Sequence, residues 1–262
     1  RAGIEAPIGA MTVAPTQPRD GIMLDDGGTL SGRASRIPFA HDAQHIAVFA
    51  GSSKGAVVAL AAAKDCRIAD GQNLAGDATN TVAFERVRPI RSAPAPAGFD
   101  QTSLMLMGAA VRSIATAGAL ETILSLSVAY ANERVAFERK IGKFQAVQQN
   151  LARLAGEVAA ALTAAGSAAD AIAQADKFDD AVLLEVASAK IRSAEAATEG
   201  AAIAHQVFGA IGFTNEHVLH RFTLRILAWR DDFGNDSHWA AELGKHVARH
   251  GADEFWPLIA SR

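Results

Sequence analysis

The sequence predicts an α+β protein, with a small antiparallel β-sheet domain over residues 1–97 followed by a helical bundle over residues 98–262. Three observations carry this expectation. Seven of the eight prolines lie at or before Pro96 and none recurs until Pro257. Proline breaks helix interiors, so the first third is punctuated and the remainder is compatible with long helices. Short apolar runs in the first part are separated by Asp-Gly and Gly-Ser turn signals, as strands are. Beyond the linker SAPAPAG at residues 92–98, apolar residues recur at the three-and-four spacing of helix stripes.

Taken in order, residues 46–49, 56–60 and 81–84 read as strands, and Asp25-Asp26-Gly27-Gly28 reads as a hairpin turn. The first helix is expected over residues 104–133, with Leu104, Met107, Val111, Ile114, Leu120, Ile123, Leu124 and Val128 on its stripes. A second spans residues 144–174. A third starts beyond Asp179-Asp180, where acidic residues suit the positive end of a helix, and runs to about Phe208. Shorter helices follow over residues 216–229 and 237–250. Three long helices joined by tight turns argue for a bundle. The periodicity breaks at residues 140–143, which reads as a corner between two helices. Arg134, Arg139, Lys140 and Lys143 crowd this corner, and cationic donors beside exposed helix-start amides can hold an anion such as a pyrophosphate. The bland alternative is a solvated basic junction. Gly209 and Gly212 end the third helix and let another backbone or a ligand approach, or they form a plain cap and turn.

Half the residues are hydrophobic and a fifth are charged, as in ordinary globular proteins. The net charge of −3 provides no field favouring nucleic acid or an anionic membrane. Cys66 is the single cysteine, so no internal disulfide forms and a reducing cytoplasm is expected. It is read as inert. No apolar run reads as long enough to cross a bilayer, and the start at Arg1 rather than Met suggests that preceding sequence lies outside this chain. Glu242, His246 and His250 share a helix face without an HExxH pattern, so they read as solvated and no metal is expected. Lys190 and Arg192 read as exposed salt-bridging positions. No serine or cysteine carries a nucleophile signature.

Several motifs converge on one family. Glu-Arg-x-x-Phe at residues 133–137, Phe144-Gln145 with Leu151-Ala152, and Gln-x-x-Gly-x-x-Gly-Phe-Thr at residues 206–214 resemble the C-terminal four-helix bundle of acyl-CoA dehydrogenases. Leu30-Ser31-Gly32, Ile37-Pro38-Phe39-Ala40 and Val-Ala-Phe-Glu-Arg-Val at residues 82–87 are similar to that family's middle sheet domain. The resemblance implies FAD as cofactor, its adenosine diphosphate lying across a subunit interface. It implies Arg134 for the pyrophosphate, Phe137 for packing against the cofactor, and Gln206 with the Gly209-Ala210 backbone as further contacts. It also implies an N-terminal helical domain that this chain does not show.

The departures matter as much. Glu138 stands where the family has glycine, with Arg139 beside it as a neutralising charge, and Ala210 replaces the second glycine of a pair. In the family a carboxylate removes the proton α to the thioester while the flavin takes the β-hydrogen as hydride. Counted from Gln206, that carboxylate position falls on Phe233, or on Gly234 with a one-residue gap, and the alternative position falls near Gly108. Asp231, Asp232 and Asp236 are close by; Asp232 and Asp236 are the candidate shifted bases, against the bland reading of solvated loop acids. The ring-side flavin motifs are not found. The pattern is similar to the non-catalytic partner in heteromeric α2β2 acyl-CoA dehydrogenases of actinobacterial steroid side-chain degradation. Three readings stay open: a partner subunit acting on an acyl-CoA, such as a steroid side-chain CoA ester; a homo-oligomeric dehydrogenase with an aspartate base; and a flavin-free CoA-ester-binding scaffold.

Overall fold

The punctuated first third folds into eight strands in the computed structural model, which describes residues 2–260. They are β1 (Met11–Ala14), β2 (Gly21–Leu24), β3 (Leu30–Pro38), β4 (His45–Ser52), β5 (Val57–Ala62), β6 (Arg67–Ala69), β7 (Thr79–Val87) and β8 (Arg91–Pro94). Their order is β6-β7-β3-β2-β4-β5-β8, with β1 paired to β4. Most neighbours are antiparallel, as the turn signals predict, but β1 and β2 run parallel to β4. A parallel pair needs a crossover, and no local turn announces one. The β2–β3 hairpin turns at the expected Asp25 to Gly28 segment. There the Asp25 carboxylate accepts from the Thr29 amide at 2.8 Å and its hydroxyl at 2.6 Å, which holds the carboxyl below its usual pKa. Leu30, Ile37, Ile46, Val82 and Phe84 form the centre of this unit's core.

Strand β3 carries a bulge between Ala34 and Ile37, where Arg36 takes φ 57°. Thr16 donates to the carbonyls of Ser35 and Arg36, and Asp20 accepts from the Ser35 amide at 2.6 Å, so the bulge is tied on both sides. Bulges redirect side chains out of the ladder. The sheet unit extends to Gly108 and takes in Asp176–Phe178 and Asp232–Gly234. Phe99 bridges it, with ring centroids 6.0 Å from Phe49 and 5.6 Å from Phe178.

The change from strand to helix falls between Pro94 and Gln101, on the segment read as a linker. The helices are α1 (Gln101–Glu133), α2 (Gln145–Gln174), α3 (Asp180–Phe208), α4 (Leu219–Trp229), α5 (Asp236–His250) and α6 (Phe255–Ala260). Asp179 accepts hydrogen bonds from the Ala181 and Val182 amides and starts α3 where the acidic pair predicts. Asn235 caps α5 in the same way. The bundle core joins Leu120 of α1, Leu154 of α2 and the alanine face of α3. A methyl on Gly200 would come within 2.6 Å of Leu120 and 3.2 Å of Leu154, so this glycine sets how closely α3 packs.

Two expectations are corrected here. Helix α1 is long and apolar enough, by length and composition, to cross a bilayer, because its charges are too widely spaced to interrupt an 18-residue window. A core helix satisfies the same test, and Leu120 and Ile123 of α1 lie fully buried in the bundle. Lys190, read as exposed, is buried: its ammonium donates to the Trp229 and Arg230 carbonyls at 2.7 and 3.0 Å. Helix periodicity cannot show that a cation will face the orphan carbonyls ending another helix. Arg192 does form ion pairs, with Glu157 and Glu195.

Candidate functional site

The corner after α1 is not a simple helix-to-helix joint. Arg134 follows the last residue of the helix, and the chain then makes a two-stranded hairpin from β9 (Val135–Ala136) and β10 (Arg139–Lys140). Its turn residues, Phe137 and Glu138, have φ 53° and 64°. Two successive positive φ values define a turn that favours Asn-Gly, and a side-chain-bearing residue held there costs on the order of 1–3 kcal/mol. Phe137 is 89% exposed and meets the edge of Phe144 at 6.2 Å. The Arg139 guanidinium lies 4.0 Å from the Phe144 ring centroid, so the charge expected to neutralise Glu138 is placed against an aromatic face. Arg134, Lys140 and Lys143 are exposed around it. Helix α2 then begins at Gln145, with Phe144 at the N-cap and no side-chain cap on its first amides.

The second motif ends α3. Gln206 is exposed in the last turn, Gly209 takes φ 66°, and the chain continues as a 3-10 turn through Gly209–Phe213 in which Ala210 is exposed. Gly212 is buried, and a methyl there would press on Phe208, His205 and Leu219. His205 stacks on Phe213 at 4.1 Å and its Nε2 lies 2.9 Å from the Thr223 hydroxyl; burial lowers its pKa. The two motifs meet through Tyr130, which stacks on Phe208 at 4.3 Å and donates its hydroxyl to the Phe208 carbonyl at 3.4 Å. The end of α1, four residues before Arg134, is thereby tied to the end of α3, where Gln206, Gly209 and Ala210 lie. Sequence reasoning missed Tyr130, although its place four residues before Arg134 put it on the last turn of the same helix.

Of the positions at which the resemblance would place a catalytic carboxylate, Phe233, Gly234 and Gly108, none is acidic, and Phe233 and Gly108 are in contact with each other. Phe233 is buried with φ 55°, and a methyl added to Gly108 would fall inside its ring. The phenyl group therefore lies directly on the glycine backbone. Of the three nearby acids, Asp231 is exposed, and Asp236 opens α5 and accepts from the Ser237 amide at 2.9 Å. Asp232 is 3% exposed, against the reading of a solvated loop acid, and pairs with Arg36 at 3.2 Å. The β3 bulge aims Arg36 at it, an arrangement separated by 196 positions in sequence and invisible to any local pattern. Cys66 is half-buried and its thiol is pushed up to about 11 by burial and by Asp65, consistent with an inert side chain.

The family described as "Acyl-CoA dehydrogenase, C-terminal domain" matches residues 97–236. The chain is 32% identical over 142 residues to "Acyl-CoA dehydrogenase IpdE2" of Mycobacterium tuberculosis, a match covering 53% of this chain and 38% of that protein. It is 35% identical over 105 residues to a glutaryl-CoA dehydrogenase of Desulfococcus multivorans, covering 40% of this chain and 26% of the relative. The matches therefore span well under half of these relatives. Among solved structures, the ChsE4-ChsE5 complex from Mycobacterium tuberculosis superposes with TM-score 0.80 at 24% identity, over 92% of this chain and 67% of that one. At that identity the likeness shows the fold. With more than half of the chain matched by the family, this protein belongs to the acyl-CoA dehydrogenases.

Proposed function

We propose that this chain is a subunit of a FAD-dependent acyl-CoA dehydrogenase, an oxidoreductase that desaturates the Cα–Cβ bond of a CoA thioester, and that a homologous partner subunit carries the catalytic carboxylate. The observation that supports this reading is the Phe233 ring seated on Gly108. None of the positions expected to present a base, Phe233, Gly234 or Gly108, carries a group that can take the α proton, and the first and last are packed on each other.

The residues present fit the adenosine side of the cofactor. Bound FAD supplies the hydride acceptor. Arg134, exposed at the end of α1, suits a pyrophosphate because a guanidinium donates in a fixed fork to phosphate oxygens. Phe137 offers an open apolar face for a cofactor to cover, and Gln206 with the Gly209-Ala210 backbone adds polar contacts from the end of α3. The Tyr130–Phe208 stack, which ties the end of α1 to the end of α3, supports a single site built from both. Glu138 opposes an anion there, which weakens the chain's hold on the cofactor and suits a site completed by a second chain.

The finer reading is an α2β2 heterotetramer in the reducing cytoplasm acting on a bulky steroid-derived CoA thioester. It is supported by the fold likeness to the ChsE4-ChsE5 complex and to the "Tcur3481-Tcur3483 steroid ACAD G363A variant", the latter with TM-score 0.75 at 22% identity over 92% of this chain and 67% of that one. The test is the visible flavin spectrum and native mass of this chain, purified alone and then co-expressed with its homologous partner. A colourless chain alone and a larger yellow assembly are expected, and Arg134→Ala should lower flavin retention in that assembly. One flavin per chain in the isolated protein would overturn the shared-site reading. A homo-oligomeric enzyme has one observation in its favour, a buried acid at Asp232 beside Phe233, but that carboxylate is already engaged by Arg36 at 3.2 Å. Asp232→Asn abolishes turnover only under that second reading.

A further inference from the structure

His246 is 1% exposed on α5, and neither of its ring nitrogens has a hydrogen-bond partner among the described residues. A buried imidazole with an unmet N–H and an unmet lone pair is costly, so such rings have a partner. The nearest polar groups define what that partner is. The His246 Nδ1 lies 3.6 Å from Asp180 Oδ1, and His250 Nε2 lies 3.8 Å from Asp180 Oδ2. One ligand atom from each of the three residues falls within 4.8 Å of the others. These gaps are too long for hydrogen bonds and close to the spacing of ligands around one ion. Zinc–nitrogen and zinc–oxygen bonds of about 2.0–2.2 Å put tetrahedral ligand atoms roughly 3.3 Å apart.

Two local features prepare the ligands. His250 Nδ1 lies 2.9 Å from the His246 carbonyl, which can only accept, so Nδ1 donates and Nε2 keeps the lone pair facing Asp180. That is the outer hydrogen bond which orients a metal-bound histidine. Asp180 is spared the capping of α3, because Asp179 accepts from the helix-start amides. The i, i+4 spacing puts both imidazoles on one face of α5. The third group is therefore Asp180 from α3, while Glu242 pairs with Lys245 at 2.8 Å.

We propose that His246, His250 and Asp180 bind one divalent transition-metal ion of the zinc type, tying α5 to the start of α3. Two imidazoles and one carboxylate suit zinc, cobalt or nickel rather than calcium or magnesium, which take oxygen ligands. The exposed Asp180 leaves a fourth position open to water. The proposal is independent of the flavin reading.

The test uses the full chain, stripped with a chelator and titrated with zinc chloride by calorimetry and with cobalt chloride by absorbance. One ion per chain, a tetrahedral cobalt band and a higher melting temperature with zinc are expected. His250→Ala and Asp180→Asn change exposed residues and should fold, and each should weaken binding by at least about 10-fold, the smallest effect of losing even an outer partner. No binding heat, an octahedral cobalt spectrum, or unchanged affinity in both variants would overturn the site. A melting temperature that zinc leaves unchanged would overturn it as well.

Discussion

At Gly108 the missing side chain is what allows Phe233 to take its place. Gly108→Ala should therefore destabilise the protein by about 1–3 kcal/mol through overpacking, and Phe233→Ala by about 3 kcal/mol through the space left empty. The double variant should cost clearly less than the sum, since the added methyl enters the vacated volume. Urea unfolding of all four proteins measures this coupling, and strict additivity would mean that the ring and the glycine do not touch. His205 carries a separate prediction. Burial keeps its pKa below the usual 6.5, so between the folded value and 6.5 the unfolded chain binds a proton that the folded chain refuses. Its contribution is fully present above pH 6.5 and is lost as the pH falls through the folded value. The melting temperature should decline from about pH 7.5 to about pH 5.5, and His205→Gln should decline less steeply over the same range.

Among the elements, the β9–β10 hairpin is the one whose turn residues oppose its geometry. Glu138 at φ 64° would be better served by glycine, so Glu138→Gly should raise stability by about 1 kcal/mol in thermal or urea melts. The same change removes a carboxylate from the proposed pyrophosphate site, and flavin retention in the assembly should rise with it. Lys190 ties α3 to the end of α4; Lys190→Met leaves two carbonyls without their donor and should cost about 2–4 kcal/mol. These cases explain what could be read from the residues. The start of α3 at Asp179 and its stop at Gly209 were legible because a cap and a positive φ are local requirements. So were the β2–β3 turn and the two motifs at the ends of α1 and α3. The hairpin was not, because Phe-Glu gives no turn signal. Nor were the burial of Lys190 and Asp232, whose partners lie 39 and 196 positions away. Of the candidate site, the motif residues at the two helix ends were legible, but Tyr130, which ties the end of α1 to Phe208 at the end of α3, was not.

For the whole molecule, the sheet unit is discontinuous: it includes Asp176–Phe178 and Asp232–Gly234 from the helical part of the sequence. The compositional break at residue 97 falls within this unit, which runs on to Gly108. A fragment of residues 1–97 lacks Phe99, Gly108, Phe178, Asp232 and Phe233, and its far-UV circular dichroism should melt without a cooperative transition; a sharp transition would show that the strands suffice alone. The parallel placement of β1 and β2 against β4 belongs to this scale too, since it is settled by the arrangement of the sheet and by no turn within it. The Arg36–Asp232 pair also bears on how the chain is made. At about 5–20 residues per second, a ribosome needs roughly 10–40 s to go from one partner to the other. Throughout that interval Arg36 stands without its partner, and from the time Gly108 is made its seat for Phe233 stands empty too, so this protein should depend on chaperone cover late in translation.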